Sequence, residues 1–369
     1  MENKKEIVSI VKCESYSSKL LRDKLIESLN NINFNLDKFK GKTVLIKPNL
    51  LSPQEPGTGV TTNPSIIEEL CKILKENNIK EIIIGESSAY DTDKALEKCG
   101  INKLKKYAKI INFEKESKKL FQLEENQQIS LPEILFKVDL VINFAKLKTH
   151  GLTNVTLCTK NLYGCVPGKL KEKLHQIYPG AKEFSILLNR IEMQIKPKLC
   201  FIDGIIGLEG EGPGASGIPI NSNVIIAGKS CGPVDIIATE IMGFKPNSIY
   251  TNKNYNLERK DIETVGDGKE IRLKFKKPST MTISAFLWLN KLLPKPKIIA
   301  DPEKCIRCGI CVKKCPVKAL SLKPHAICDH KICIKCLCCV EVCPQDAIHL
   351  EEAKIKRLIS STVYKIRKV

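Results

Sequence analysis

The chain has 369 residues, of which 43% are hydrophobic, 27% are charged and 5% are aromatic, and its formal net charge is +19. This length and apolar content exclude a disordered tail protein and allow two domains, or one large domain with an appendage. The basic charge does not favour nucleic acid as a partner, because the lysines are spread along the chain and aromatic residues for base stacking are scarce.

The sequence predicts a soluble protein in the reducing cytoplasm. Residues 1–5 are polar and lead directly into an apolar strand, so no signal peptide is expected. The longest apolar run, residues 283–293, is too short to span a membrane and is interrupted by Asn290 and Lys291. In a reducing compartment, the 17 cysteines are expected to bind metal rather than to form disulfides.

Apolar strands alternate with amphipathic helices through the first 242 residues. We predict strands over residues 7–11, 43–46, 81–84, 139–144, 199–202 and 224–227. We predict helices over residues 18–29, 64–74, 93–98, 155–162, 184–195 and 234–242. This alternation predicts an α/β fold, an open and mainly parallel sheet with helices on both faces. Residues 103–128 are polar and give no clear element, and residues 261–276 resemble a small β appendage.

Polar side chains collect at the carboxyl ends of four predicted strands, where ligands bind in open α/β sheets. We predict acid, base or metal-ligand roles for Lys47, Glu86, His150 and Asp203. We predict that an anionic substrate is bound by Asn49, Lys146, Lys148, Lys160, Asn161 and Glu209. Each residue taken singly could instead be a helix cap or a surface contact, so the prediction rests on their common position.

A proline-containing linker is predicted after the α/β domain of residues 1–278. It covers residues 279–300 and is stiffened by Pro294 and Pro296. A cluster-binding domain follows at residues 301–350, and a basic tail at residues 351–369. The tail could lie weakly on an anionic membrane surface as an amphipathic helix, but a helix packed on its own domain is favoured.

One cysteine pattern, Cys-x2-Cys-x2-Cys-x3-Cys-Pro, occurs twice near the C-terminus, and a shift of 28 residues superimposes the copies. This spacing is used by bacterial ferredoxins for two [4Fe–4S] clusters, where the fourth cysteine of each run serves the other cluster. The predicted ligands of cluster 1 are therefore Cys305, Cys308, Cys311 and Cys343. Those of cluster 2 are Cys333, Cys336, Cys339 and Cys315.

Structural zinc is the alternative to the clusters, since it also binds Cys-x2-Cys pairs, but it does not explain two copies of a triple followed by Cys-Pro. Cys328 and Cys338 are surplus to the pattern and are predicted to be packed thiols rather than ligands. Leu337 replaces Gly309 of the first copy. Two oxidised clusters would lower the net charge to roughly +15.

The chain resembles the family called domain of unknown function 362 (DUF362). The strings that carry the resemblance are Lys47-Pro48-Asn49-Leu50-Leu51, Lys146-Leu147-Lys148-Thr149-His150, Lys160-Asn161-Leu162-Tyr163-Gly164 and Asp203-Gly204 with Glu209-Gly210-Glu211-Gly212-Pro213. The resemblance covers most of residues 40–350 and implies fusion to a ferredoxin module, in which Cys338 resembles a family feature. It names no substrate.

Two classes of function remain open. The first is an oxidoreductase, in which electron transfer is coupled to a reaction on an anionic small molecule at the α/β domain. Its redox partner is a protein, and the basic surface favours an acidic carrier. The second is an iron–sulfur cluster or metal carrier, a maturation protein with no catalysis of its own.

Overall fold

The computed structural model describes residues 5–124, 127–282 and 297–351. Its strands are β1 Glu6–Lys12, β2 Thr43–Lys47, β3 Glu81–Glu86, β4 Lys109–Asn112, β5 Lys118–Glu124, β6 Gln127–Pro132, β7 Leu140–His150, β8 Asn154–Thr156, β9 Leu199–Gly210, β10 Gly217–Gly228, β11 Ile262–Val265, β12 Lys297–Ala300, β13 Leu320–Ser321, β14 Ile327–Cys328 and β15 Ile348–Glu351. Its helices are α1 Ser18–Asn31, α2 Pro64–Glu76, α3 Thr92–Lys98, α4 Ile134–Lys137, α5 Cys158–Asn161, α6 Leu170–Ile177, α7 Ala181–Ile195, α8 Cys231–Ile241, α9 Tyr250–Lys253, α10 Ser279–Thr282, α11 Ile310–Lys314 and α12 Cys338–Glu341.

The main sheet has the strand order β11-β1-β10-β9-β7-β2-β3-β4, and β8 pairs with the end of β7. Strands β9, β7, β2, β3 and β4 are parallel to one another, whereas β10 is antiparallel to both of its neighbours. The carboxyl ends of β2, β3 and β7 therefore meet at one edge, which is where ligands bind in such sheets.

Helices cover both faces of the sheet. Side chains alternate along β2, so that Leu45 lies in one core cluster and Val44 and Ile46 lie in the other. Helices α7 and α8 pack on the first face, and α1 and α2 pack on the second. The sequence prediction of an open, mostly parallel α/β sheet is confirmed.

Helix α2 begins where the sequence places it. Pro64 occupies its first turn, where a missing N–H removes no helical hydrogen bond. The side chain of Asn63 caps the helix by accepting a hydrogen bond from the Ser65 amide over 2.9 Å. The cap also fixes the loop that follows β2, because the Asn63 amide donates to Asp203 Oδ2 over 3.0 Å.

Three segments differ from the sequence prediction. Residues 262–265 do not form an appendage, because β11 pairs in parallel with β1 and extends the main sheet. Residues 155–162 are not one helix: β8 turns back on β7, and only the short α5 follows. The polar residues 103–128 contain β4, all of β5 and the start of β6, and β5 and β6 form a hairpin.

The cysteine segment, defined here as residues 297–351, folds as two similar halves. The Asp301 amide donates to the Ala347 carbonyl, and the Asp329 amide donates to the Ala319 carbonyl, both over 2.7 Å. Gly309 has a φ of 74°, and Leu337, 28 residues later, has a φ of 65°. The two copies therefore share one backbone path, although only the first has glycine at this left-handed position.

Parts of two predicted segments lie outside the described residues. These are residues 283–296 of the predicted linker, which include Pro294 and Pro296, and residues 352–369 of the predicted basic tail. Across the described ranges, no helix is both long enough and apolar enough to cross a membrane.

Candidate functional site

Eight thiols of the cysteine segment surround two cavities. The first encloses about 330 Å³ and is lined by Cys305, Cys308, Cys311 and Cys343. The second encloses about 310 Å³, and the pattern cysteines that line it are Cys315, Cys333, Cys336 and Cys339. Each set takes three thiols from one copy of the motif and the fourth from the other copy.

The surroundings of these thiols fit cubane clusters. The Ala319 amide donates to Cys315 Sγ over 3.1 Å, and the Ala347 amide donates to Cys343 Sγ over 3.2 Å. Such donors stabilise a thiolate, the form of cysteine that binds iron. In the described part of the chain, no three His, Cys, Asp or Glu side chains are arranged to hold a single metal ion.

A third cavity lies where the cysteine segment packs on the edge of the main sheet, and we call it the junction cavity. It encloses about 750 Å³ including its opening. The ends of β2, β3 and β7 and the segment that follows β8 form one wall, and α11 and α12 contribute to the other. Its polar lining from the sheet side includes Lys47, Glu86, Lys148, His150, Lys160 and Asn161.

The floor of the junction cavity is a buried ion pair. Lys47 Nζ lies 2.6 Å from Glu86 Oε2, and it also donates to Asn161 Oδ1 over 3.2 Å. Burial raises the pKa of the Glu86 carboxyl, and the Lys47 ammonium opposes that rise. A side chain at Gly164 would collide with both charged groups, which explains the glycine there. The amide of Asn49 completes the floor by donating to Asn161 Oδ1 over 2.9 Å.

Residues Lys148 and His150, at the end of β7, reach the same cavity. Lys148 Nζ donates only to backbone carbonyls, over 2.7 Å to Val60 and 3.4 Å to Pro213. His150 Nδ1 accepts from the Leu152 and Thr153 amides, so the proton of the neutral ring is on Nε2. That nitrogen lies 3.0 Å from Oε1 of Glu341, a residue of α12.

Burial and neighbouring charges set the protonation of this pair. Burial, and to a lesser extent Lys160, lower the pKa of His150 to about 4 against the opposing effect of Glu341. Burial alone would raise the pKa of Glu341, but His150 and Lys160 bring it to about 2. At neutral pH the contact therefore joins a neutral imidazole to a carboxylate.

Several polar atoms that line the cavity lack hydrogen-bond partners. Among the described residues, Asn49 Oδ1, Thr156 Oγ1 and His175 Nδ1 are buried without one. Lys160 forms no ion pair in these ranges, and its ammonium lies 5.6 Å from the ring centres of Tyr163 and of Phe184. Buried polar groups are normally satisfied, so these atoms indicate a place for a ligand.

Three predicted site residues lie away from the junction cavity. Lys146 Nζ pairs with Asp203 Oδ2 over 2.7 Å, and Tyr16 donates to the same carboxylate over 2.8 Å. This buried group lies beside Tyr16 and the loop that precedes α2. Glu209 accepts a hydrogen bond from the Lys276 amide over 2.8 Å. The other seven predicted residues, Lys47, Asn49, Glu86, Lys148, His150, Lys160 and Asn161, line the cavity together.

Sequence reasoning missed several polar residues that line the cavity, four of which bear on its chemistry. These are Thr156, Lys171, His175 and Glu341. Lys171 donates to the carbonyl and the hydroxyl of Ser87 over 2.6 and 2.7 Å. His175 stacks on Phe184 with ring centres 4.3 Å apart. Neither follows a strand, which was the only signal used, and Glu341 belongs to the other half of the molecule.

Besides the His150–Glu341 contact, further contacts hold the cysteine segment against the α/β domain. Lys314 Nζ lies 2.9 Å from Glu172 Oε1, and the Tyr90 hydroxyl donates to the Val342 carbonyl over 2.8 Å. Leu337 packs directly on Gly151, where a Cβ atom would lie only 2.7 Å from Leu337 Cδ1. Leu337 therefore points toward the sheet, and the adjacent Cys338 lines both the second thiol cavity and the junction cavity.

The two buried histidines predict acid sensitivity. The pKa of an unfolded histidine is about 6.5, whereas burial lowers the pKa of His150 to about 4 and that of His175 to about 3. The unfolded chain therefore binds protons that the folded chain does not, so stability present above pH ~6.5 is lost as the pH falls toward 4. We expect the free energy of unfolding to fall by up to about 1.4 kcal/mol per histidine per pH unit.

Urea unfolding followed by circular dichroism between pH 7.5 and 5 measures this slope. His175→Phe keeps the ring stack and should remove about half of the slope, since one of two titrating groups is lost. His330→Gln changes an exposed histidine and serves as the control. An unchanged slope in His175→Phe would show that the acid sensitivity has another origin.

The chain matches known proteins in two regions. Residues 44–240 match the family described as "Domain of unknown function (DUF362)", and residues 298–321 match the 4Fe-4S binding domain. The second match contains the first cysteine copy and supports at least one 4Fe–4S cluster, and with it a role in electron transfer. A curated relative is the thylakoid-associated protein sll1697 of Synechocystis sp., which is 30% identical over 250 residues, 66% of this chain and 77% of the relative.

Proposed function

The chain belongs to the DUF362 family, and from that premise we propose that it binds two [4Fe–4S] clusters and transfers single electrons to or from an anionic small molecule in the junction cavity. The observation that carries this proposal is the position of Cys338, which lines the second thiol cavity and the junction cavity at once. Clusters held by the eight pattern cysteines would supply reversible one-electron chemistry.

The proposed roles of the cavity residues follow from their contacts. Lys47, Glu86 and His150 are the groups that can exchange protons with a bound molecule, because each lines the cavity and carries an ionisable side chain. Asn49, Lys148, Lys160 and Asn161 would bind the molecule. Lys146 and Asp203 hold the loop before α2 to β9, and we assign them this positioning role.

The first cysteine copy is the proposed docking face for a redox partner protein. Ile306 is 60% exposed and Cys308 is exposed, whereas the equivalent part of the second copy is covered, with Cys336 only 7% exposed. Lys304 and Arg307 are exposed beside Ile306. An acidic protein with an apolar centre fits this surface.

Stopped-flow reduction by an acidic one-electron carrier such as a flavodoxin tests this face. Ile306→Asp should slow reduction by the carrier about tenfold, because it puts a like charge into the docking surface. Reduction by dithionite should not change. Ile218→Asp, at an isoleucine of the main sheet that is 48% exposed, is the matched control. Equal rates for the two variants would refute the docking face.

A cluster or metal carrier without catalysis is the second candidate. It is favoured by the exposure of Cys308, which leaves the first thiol cavity accessible to thiols of an acceptor protein. Cluster transfer to an apo-acceptor and electron transfer to an oxidant can be timed on the same anaerobic sample. Faster cluster transfer would favour the carrier.

The reducing, cytoplasmic setting and the predicted boundaries are part of the proposal. All 17 cysteines are free thiols in the structure, which supports a reducing compartment. Phe275 packs in the core of the main sheet, and β12 begins the cysteine segment at Lys297. We therefore keep the α/β domain at residues 1–278, but begin the cluster domain at Lys297 rather than at 301, because β12 pairs with β15.

A further inference from the structure

The charges that line the junction cavity do not balance. Five lysines line it, which are Lys47, Lys148, Lys160, Lys171 and Lys314. Three glutamates line it, which are Glu86, Glu172 and Glu341. The two histidines are neutral at pH 7, because burial lowers the pKa of each to about 4 or below. Lysines therefore outnumber carboxylates in the lining of the cavity.

The unpaired charge can be traced to particular lysines. Lys47 is paired with Glu86, and Lys314 is paired with Glu172. Glu341 is the carboxylate that acts on Lys148 and Lys160, whereas Lys171 lies in the field of Glu86 and Glu114. Lys148 and Lys171 donate to neutral oxygens of the protein, and Lys160 has no hydrogen-bonding partner among the described residues.

Buried charge is costly unless an opposite charge or a ligand compensates for it. Burial lowers the pKa of Lys148, Lys160 and Lys171, as expected for cations without enough counter-charge. We propose, building on the function proposed above, that the junction cavity binds a small dianion, either a dicarboxylate or a phosphate monoester, through Lys148 and Lys160. A dianion can pair with both of these ammonium groups, neither of which hydrogen-bonds to a carboxylate among the described residues.

The unpartnered polar atoms specify the rest of the ligand. Thr156 Oγ1 and His175 Nδ1 lie buried in the wall of the same cavity and supply further hydrogen bonds to it. Asn49 Oδ1 can only accept, so the ligand presents a donor such as a hydroxyl group. The space inside the cavity for the centres of water-sized molecules is about 90 Å³, so the site admits only a small ligand.

Glu341 is expected to compete with the ligand. Its carboxylate is contributed by the cysteine segment and already lies against His150, within the field of Lys148 and Lys160. Removal of this charge takes away the carboxylate that acts on both Lys148 and Lys160. Glu341→Gln should therefore bind dianions more tightly, whereas Lys160→Gln should bind them more weakly.

Isothermal titration calorimetry on the anaerobically purified, cluster-loaded full chain tests the proposal. The probes are malate, succinate and inorganic phosphate, and acetate and potassium chloride at equal ionic strength are the comparisons. We expect the best dianion to bind at least about tenfold more tightly than acetate, and Lys160→Gln to weaken it about tenfold, about 1.4 kcal/mol. Lys169→Gln removes an exposed lysine next to the cavity and should have no effect.

The arms of the experiment separate the outcomes. Tighter binding of malate or of phosphate identifies the preferred oxyanion. If Lys160→Gln does not fold, Thr156→Val tests the same wall and should weaken malate binding. No saturable binding of any dianion, or equal dissociation constants in Lys160→Gln and the parent protein, overturns the proposal. Iron content measured on the same samples distinguishes the two proposals. A chain that holds its clusters but binds no dianion refutes the dianion site and leaves the proposal of two clusters standing.

Discussion

Replacement of Cys308 and Cys336 by alanine in one chain should remove the brown colour and all cluster iron. Each of these residues lines a different thiol cavity, so each single variant loses the ligand of one cluster. Iron in anaerobically purified protein should fall from about eight atoms per chain to about four in either single variant and to none in the double variant. Iron assay, visible absorbance and electron paramagnetic resonance of the reduced protein measure this.

The surplus thiols provide the matched control. Cys328 and Cys338 line the second cavity together with its four pattern cysteines. Cys328→Ala and Cys338→Ala should keep about eight irons, because neither position belongs to the repeated pattern. If the Cys308→Ala/Cys336→Ala chain kept its visible absorbance, the assignment of both clusters would be wrong. A metal content of only one zinc or one iron atom per chain in the parent protein would also show that the assignment of both clusters is wrong.

Lys47→Met should destabilise the α/β domain by about 3 to 5 kcal/mol. It leaves the Glu86 carboxylate buried and without the ammonium that lies 2.6 Å away. The double variant Lys47→Met/Glu86→Leu should recover much of this loss, because a buried ion pair contributes less than its broken half costs. Chemical denaturation of the four proteins in a double-mutant cycle gives the coupling free energy.

The second buried pair separates stability from ligand binding. Lys146→Met breaks the pair with Asp203, which is as deeply buried as the first pair, and should cost a similar free energy of unfolding. Because Lys146 does not line the junction cavity, only the Lys47 variant should also change dianion binding. Equal effects of the two variants on binding would contradict the placement of the site.

The parts of the structure that depend on local pattern could be predicted from the sequence. Strands β2 and β3 are short, apolar and buried on both faces, and the cysteine spacing lies within 40 residues. The β structure at residues 261–276 was predicted, but the place of β11 in the main sheet was not, because its four residues, Ile262–Val265, are apolar only at the two ends and give a weak signal. Its place in the sheet depends on pairing with β1, more than 250 residues away.

The sequence did not show which of the predicted site residues would line the junction cavity, for two physical reasons. Side chains two residues apart on a regular strand share a face, so Lys146 and Lys148 were placed together. The two lysines do leave β7 on one side, since Ala145 and Leu147 share a core cluster. Lys146 is held by Asp203 of β9, however, and only Lys148, nearer the end of the strand, reaches the junction cavity. The second reason is long-range packing. Glu341 of α12 contacts His150 of β7 only because the cysteine segment packs on the α/β domain.

Leucine at position 337 makes the halves of the cysteine segment non-interchangeable. A left-handed backbone costs a leucine roughly 1–2 kcal/mol that glycine does not lose. Glycine at this position would remove the backbone strain but would leave a cavity next to Gly151. The backbone conformation therefore favours glycine, whereas packing on the α/β domain favours leucine. A ferredoxin domain from another protein with glycine here would therefore lack the side chain that packs on Gly151. If the two halves of the cysteine segment were exchanged, the first thiol cavity would face the sheet in place of the second.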